Sequence, residues 1–251
     1  MSERLHALRS SVEHLRSVVE QIDVADYVSS AYPTEWSIAD TLSHLGSGAV
    51  IMRKNFENGV AGTVSDPTFN QSVWDEWNAK APADQVADAL RADSALLKSF
   101  ESSTEAQRKE FHFSMGPFNM DFEGFVGMRL NEHALHTWDV EVALNPTATI
   151  SSDIAGEIID NLHLIVRVAG RANGETHTLK IRTADPARDL SLVFDADSVS
   201  LIDADHHDTV DIELPAEAFA RLIYGRLDAQ NSPNDVNELH LEKLRKAFPG
   251  I

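Results

Sequence analysis

Hydrophobic side chains recur at intervals of three and four residues through the first part of the chain, a spacing typical of amphipathic helices. The predicted helices run from about Ser2 to Asp26, from Ser37 to Glu57, after Pro82, and from Asp121 to Leu144. Ser37 is a suitable N-cap, Pro33 and Gly116-Pro117 interrupt the pattern, and residues 58–80 are predicted as a long loop. Four long helices in succession predict a four-helix bundle.

Near residues 146–152 the pattern changes to short runs rich in β-branched residues, which are typical of strands. A helix from about Asp153 to Ala169 comes first, and helices opened by Pro215 and by about Val236 close the chain. The predicted strands are Thr176–Arg182, Leu190–Phe194, Val199–Ile202 and Thr209–Leu214. We therefore predict an all-α domain over residues 1–148 and a small α+β domain with a mainly antiparallel sheet over residues 149–251.

The composition narrows the classes of function. The 251 residues include 21 Lys and Arg against 40 Asp and Glu, and the net charge of -19 repels nucleic acids and anionic lipid surfaces. The chain has no cysteine, so any metal would be bound by histidines and carboxylates. The sequence has neither a signal-peptide pattern nor a run of about 18 apolar residues, so we expect a cytoplasmic protein without membrane partners.

A possible metal site is carried by two of the predicted helices. Glu132 falls in the apolar row of the fourth helix, and His136 follows it one turn later on nearly the same face. His44, in the middle of the second helix, can face the bundle core and supply a third ligand. Two histidines and one carboxylate suit zinc, and also iron, nickel or manganese. The alternative is a surface pair of Glu132 and His136 with a structural His44.

Two charged residues flank these ligands on the fourth helix. Asp139 can accept the free ring N–H of a metal-bound His136, or it can face solvent near the end of the helix. Arg129 can form an intrahelical pair with Glu132 or hold an anionic substrate. Both possibilities remain open for each residue at this point.

Other prominent residues are predicted to have structural roles. Trp36 and Trp138 are predicted as core anchors. His133 lies about 100° around the helix from Glu132 and is not expected to be a ligand. The cluster Asp203–Asp208 is predicted as a solvated turn between two strands.

Two segments, Thr34–Leu45 and Gly124–Asp139, resemble the signatures of the mycothiol-dependent maleylpyruvate isomerase family. In that family the first motif ends in a helical histidine, and the second reads R-x-x-E-x-x-x-H-x-x-D. All the matching positions are present, and the ending Leu244–Gly250 is also similar. The resemblance implies a DinB-like four-helix domain followed by a domain similar to sterol carrier proteins. It also implies zinc ligands at His44, Glu132 and His136.

The resemblance further implies a zinc enzyme with mycothiol as its thiol cofactor. In the family's reaction the metal-activated thiolate adds to the cis double bond of maleylpyruvate, the adduct rotates, and elimination returns the trans isomer and free thiol. Arg226 resembles the position from which the family's C-terminal domain sends an arginine toward the active site. Arg226 and Arg129 would hold the substrate carboxylates. A surface arginine after a helix end is the alternative for Arg226.

Other functions remain open at the level of sequence. A mycothiol S-transferase would join the thiol to other small electrophiles, whereas a non-catalytic protein would bind a metal and an apolar ligand. The bundle can also be purely structural. We expect a monomer or a small homo-oligomer.

Overall fold

Helices dominate the first 148 residues in a computed structural model, which describes residues 2–32, 35–115, 118–233, 236 and 238–250. Pro33, Thr34, Gly116 and Pro117 lie outside the described residues. The helices of this unit are α1 (Glu3–Val19), α2 (Ile38–Ala61), α3 (Phe69–Asn78), α4 (Pro82–Ser102), α5 (Glu105–Glu110) and α6 (Phe122–Leu144). A short hairpin of β1 (Phe113–Met115) and β2 (Phe118–Met120) precedes α6.

Local sequence signals set the starts of the long helices. Ser37 caps α2 in a capping box, in which its hydroxyl accepts from the backbone N–H of Asp40 and the Asp40 carboxylate accepts from the backbone N–H of Ser37. Asp121 caps α6 by accepting from the N–H of Gly124, and Pro82 occupies the first turn of α4. The predicted N-cap at Ser37, the predicted helix after Pro82 and the predicted extents of α2 and α6 are confirmed to within a few residues.

Two predictions for this unit are wrong in extent. The first helix ends at Val19, because the N–H groups of Gln21 and Ile22 bond to carbonyls three residues back, and a 3-10 turn at Val24–Val28 follows. The predicted loop over residues 58–80 contains α3, which buries only Val73 and Trp77. Two buried positions over ten residues give too weak a periodicity for detection.

The four long helices form a closed bundle, as predicted. Helix α2 packs most extensively against α4, α1 packs against α6, and contacts of α1 with α4 and of α2 with α6 complete the ring. Helix α2 approaches its neighbours closely at Gly46, where a Cβ atom would overlap the ring of Trp77 and lie 2.8 Å from the Cα of Ala89. A glycine at this position therefore allows α2 and α4 to pack closely.

The second unit, residues 149–251, combines helices with one sheet. Its elements are α7 (Ser152–Ile159), α8 (His163–Ala169), β3 (His177–Ala184), β4 (Arg188–Phe194), β5 (Val199–Ala204), β6 (Ile212–Pro215), α9 (Ala216–Ile223) and α10 (Glu238–Ala247). The strand order is β5-β4-β3-β6, with only the β3–β6 pair parallel among the described strands. The predicted α+β class with a mainly antiparallel sheet is confirmed.

The helix boundaries in this unit differ from the prediction at three places. The single helix predicted over residues 153–169 is two helices, because the N–H groups of Asn161 and Leu162 bond three residues back and close the first helix. Pro215 ends β6 and occupies the N-cap position of α9, so it is not the first helical residue. Helix α10 begins at Glu238, after Val236.

None of the helices in the described part of the chain has both the length and the apolar character needed to cross a bilayer.

Candidate metal centre

Two of the three predicted ligands, His44 and Glu132, lie on the exposed rows of their helices, whereas His136 is buried. Helix α6 is buried on almost every side, and Met128 and Glu132 form the partly exposed row. On α2 the exposed row contains Asp40 and His44. The expectation that Glu132 and His44 face the core is therefore wrong, since their side chains are 44% and 43% exposed. The site opens to solvent on one side.

The structure brings His44, Glu132 and His136 together. One ligand atom from each residue lies within 4.8 Å of the other two. The Oε2 atom of Glu132 is 3.3 Å from Nε2 of His44 and 3.7 Å from Nε2 of His136. Two atoms that bind zinc at about 2.0–2.1 Å in tetrahedral geometry lie roughly 3.4 Å apart. The donor set and its spacing therefore fit a zinc ion with one open position.

Asp139 orients the second histidine. Its Oδ2 atom lies 2.8 Å from Nδ1 of His136, and the carboxylate is fully buried. Because a carboxylate only accepts, the imidazole donates through Nδ1–H and leaves the lone pair of Nε2 directed toward Glu132. This is the arrangement commonly found beside metal-bound histidines.

The charge state of Glu132 also suits a ligand. Partial burial acts to raise the pKa of this carboxyl. The hydrogen bond from His44 and the electrostatic interaction with His136 act in the opposite direction and prevail, which lowers the pKa to about 2. Glu132 is therefore ionised at neutral pH.

Trp36 packs against the candidate site, so its prediction as a core anchor is wrong. Its ring stacks on His136 at a centroid distance of 5.9 Å and contacts His44 at 5.1 Å, and the side chain is only partly buried. A bridge between Ser30 and Ser37 and a backbone bond from Tyr32 to the carbonyl of Asp139 fix the segment that carries it. Trp36 lies before the N-cap of α2 and is not part of a helix. The spacing of apolar residues along the helix therefore does not predict which way its side chain faces.

Arg129 forms its ion pair with a residue of another helix, and not with Glu132 of its own helix. Its guanidinium is 3% exposed and bonds to the carboxylate of Asp93 on α4 and to the carbonyl of Leu45 on α2 at 2.9 Å. The expected intrahelical pair with Glu132 is replaced by this interhelical pair. Asp93 was not identified from the sequence. It lies in the same row of α4 as the buried Ala89 and Leu96, and a carboxylate in an apolar row could have indicated a buried ion pair.

A buried histidine extends this polar network. Nε2 of His133 lies 3.3 Å from Oδ2 of Asp93, and Nδ1 of His133 lies 2.7 Å from the hydroxyl of Ser11 on α1. The network therefore joins α1, α4 and α6, and Arg129 links it to α2. His133 has no place in the candidate ligand cluster, in agreement with its predicted direction.

Two other predictions concern single residues elsewhere. Trp138 is 2% exposed and donates to the carbonyl of Ala148 at 2.9 Å, which confirms it as a core anchor. The cluster Asp203–Asp208 begins at the end of β5 and is largely exposed, as predicted for a turn. The Asp189 carboxylate accepts from the backbone N–H of His207 at 2.6 Å.

In the second unit, Arg226 lies in a loop after α9 that packs closely against the end of the chain at Gly250. Gly225 before it has a φ of +72°, and a Cβ there would overlap the backbone of Gly250. The half-buried Arg226 donates to the carbonyl of Tyr224 at 3.1 Å. Arg221, which pairs bidentately with Glu217, donates to the carbonyl of Asn231 at 3.0 Å.

Comparisons with known proteins support the family indicated by the motifs. The profile described as "Mycothiol maleylpyruvate isomerase N-terminal domain" matches residues 8–141. No curated protein matches the chain.

Two solved structures have the same fold. A histidine-to-alanine mutant of the mycothiol-dependent maleylpyruvate isomerase is 15% identical, with a TM-score of 0.64 over 89% of this chain and 88% of that one. A second structure of the mycothiol-dependent maleylpyruvate isomerase is 14% identical, with a TM-score of 0.65 over 94% of this chain and 95% of that one. At this identity the likeness shows the fold, and the family follows from the profile, which spans more than half of the sequence. The chain belongs to the mycothiol-dependent maleylpyruvate isomerase family.

Proposed function

We propose that this protein is a zinc enzyme that uses mycothiol to isomerise a small cis-alkene carboxylate of the maleylpyruvate type. The observation that carries the proposal is the convergence of His44, Glu132 and His136 within 4.8 Å, with Asp139 bonded to His136. Bound zinc would supply an open coordination position that favours the deprotonated form of a thiol.

The chain's own groups prepare this site before any cofactor binds. Asp139 holds one tautomer of His136, and the ionised Glu132 contributes the negative charge that a divalent cation needs. Trp36 covers one face of the His136 ring and shields it from water. These side chains therefore lose little conformational freedom when a metal binds.

The two arginines have different proposed roles. The planar guanidinium of Arg226 suits a substrate carboxylate, as the family resemblance implies. Arg129 is committed to Asp93 and Leu45, so we propose that it fixes α6 against α2 and α4 and acts on substrate only through the position of Glu132. Its positive charge also helps to keep Glu132 ionised.

An assay of maleylpyruvate isomerisation tests the proposal. Zinc-loaded protein should turn over maleylpyruvate only when mycothiol is present, with no net consumption of thiol. His44→Ala and His136→Ala should lose this activity, whereas His6→Ala, at an exposed position on α1, should retain it. Absence of thiol-dependent turnover in the zinc-loaded wild type would overturn the proposal.

A parallel assay with monochlorobimane separates isomerisation from thiol transfer. A mycothiol S-transferase would consume one thiol for each molecule of bimane conjugate, whereas the proposed isomerase regenerates its thiol. Conjugation without maleylpyruvate turnover would assign the chain to thiol transfer in place of the proposed reaction.

A further inference from the structure

A cavity of about 350 Å³ opens beside His44, between α2 and α3. Its walls combine two indole rings with short polar side chains. The residues that line it are Trp36, Asp40, Ser43, His44, Ser47, Trp74 and Asn78. Because His44 belongs both to the wall of this cavity and to the candidate ligand cluster, the cavity lies next to the candidate metal site.

The chemistry of the walls disfavours an anionic occupant. Of the described residues that line the cavity, none is a lysine or an arginine, and Asp40 adds a carboxylate. Asp40 would repel a substrate carboxylate there, because no lysine or arginine side chain among the described lining residues offsets its charge. Hydroxyl, amide and carboxylate groups beside aromatic rings suit a neutral ligand that is rich in hydroxyl groups.

Helix α3 holds one indole ring outward into this cavity. Trp77 is buried, where its ring packs over Gly46 of α2, and it anchors the helix. Trp74 remains 44% exposed, and Asn78 lies one turn after it on the same face. An exposed indole next to an amide offers a flat apolar surface and a hydrogen-bonding group to one ligand.

We propose that this cavity binds the sugar portion of the thiol cofactor, with Trp74 as the stacking surface and Asn78 as a hydrogen-bonding residue. The inference rests on the proposed function. Mycothiol joins an acetylated cysteine to a glucosamine–inositol pair, so its thiol end would lie at the His44 side and its hydroxyl-rich end against Trp74. The carboxylate-bearing electrophile then approaches from outside this cavity.

Two thiols that differ only in the sugar test the assignment in the zinc-loaded protein. Trp74→Ala should weaken the binding of mycothiol by about tenfold and change the binding of N-acetylcysteine by less than about twofold. Trp74→Phe should retain most of the affinity, because it keeps an aromatic face. Asp75→Ala, exposed on the same helix and outside the cavity walls, is the control that should bind both thiols as the wild type does. Equal effects of Trp74→Ala on both thiols, or no effect on either, would overturn the inference.

The sugar alone separates this inference from the proposed function. Saturation-transfer NMR on the metal-free protein should detect glucosaminyl-inositol on the wild type and lose the signal in Trp74→Ala. Failure of the wild type to bind either thiol, with this signal intact, would overturn only the proposed function. Absence of the sugar signal from the wild type would overturn the inference.

Discussion

The Nδ1 atom of His136 lies 2.8 Å from Oδ2 of Asp139 on the next turn of α6. This contact leaves Nε2 of the same ring directed at Glu132, 3.7 Å away. The helix thus carries a ligand pair and the group that orients one of the two ligands. Only His44 comes from another helix, so the relative position of α2 and α6 determines whether the cluster is complete.

The Asp139 contact predicts an effect on metal affinity. Asp139→Asn keeps the shape of the side chain but removes the charge that makes His136 a stronger ligand, so zinc affinity should fall by about tenfold or more. Competition with a chromophoric chelator measures this change. Asp153→Asn, on the surface of the second unit, is the control. An unchanged zinc affinity in Asp139→Asn would show that Asp139 does not support the ligand.

The buried pair of Arg129 and Asp93 predicts an effect on folding. Asp93→Ala leaves the guanidinium buried without its carboxylate, and the free energy of unfolding should fall by about 3–5 kcal/mol. Urea denaturation followed by circular dichroism measures the loss. Replacement of both charges, as in Asp93→Leu with Arg129→Met, should recover much of this stability. A loss below about 1 kcal/mol in Asp93→Ala would contradict the account.

The carboxylate of Asp93 should also make the free energy of unfolding depend on pH in the acidic range. Burial acts to raise the pKa of Asp93, but the charge of Arg129 and the interaction with His133 prevail and hold it below its usual value of 3.8. The unfolded chain therefore binds a proton at a higher pH than the folded chain, and the contribution of Asp93 is lost as the pH falls below about 4. Asp93→Asn should show a shallower loss of unfolding free energy than the wild type between about pH 5 and pH 3. Equal slopes would contradict the prediction.

The packing of α2 against α4 predicts the effect of a single methyl group. Gly46→Ala gains about 1 kcal/mol of helix propensity, but its methyl group overlaps the Trp77 ring and the backbone of Ala89. Overpacking of this kind costs about 1–3 kcal/mol, and the rigid neighbours place Gly46 at the upper end, so we expect a net loss of about 2 kcal/mol. In Gly48→Ala, where the nearest atom is 3.3 Å away, unfolding free energy should change by less than about 1 kcal/mol. Similar values for the two variants would contradict the packing argument.

Much of the fold follows from local signals in the sequence. Ser37 and Asp121 mark helix starts because their side chains satisfy backbone N–H groups that the helix cannot, and this chemistry is independent of tertiary contacts. The spacing of Glu132 and His136 is likewise local. Such features identified the bundle and two of the three candidate ligands.

Features that depend on tertiary packing could not be predicted. Helix α6 is buried nearly all round, so its apolar pattern does not reveal that Glu132 faces outward. The partner of Arg129 is on α4, far away in sequence, and the contact of Trp36 with the two histidines depends on the path of the segment before α2. Helix α3 was missed because most of its side chains face solvent.

The zinc content of the protein as purified, measured by mass spectrometry without added metal, tests the central claim most directly. We expect close to one zinc per chain in the wild type and in His6→Ala, and loss of the metal in both His44→Ala and His136→Ala. Zinc retained in both ligand variants, or a wild type that contains none and takes up none on reconstitution, would contradict the account.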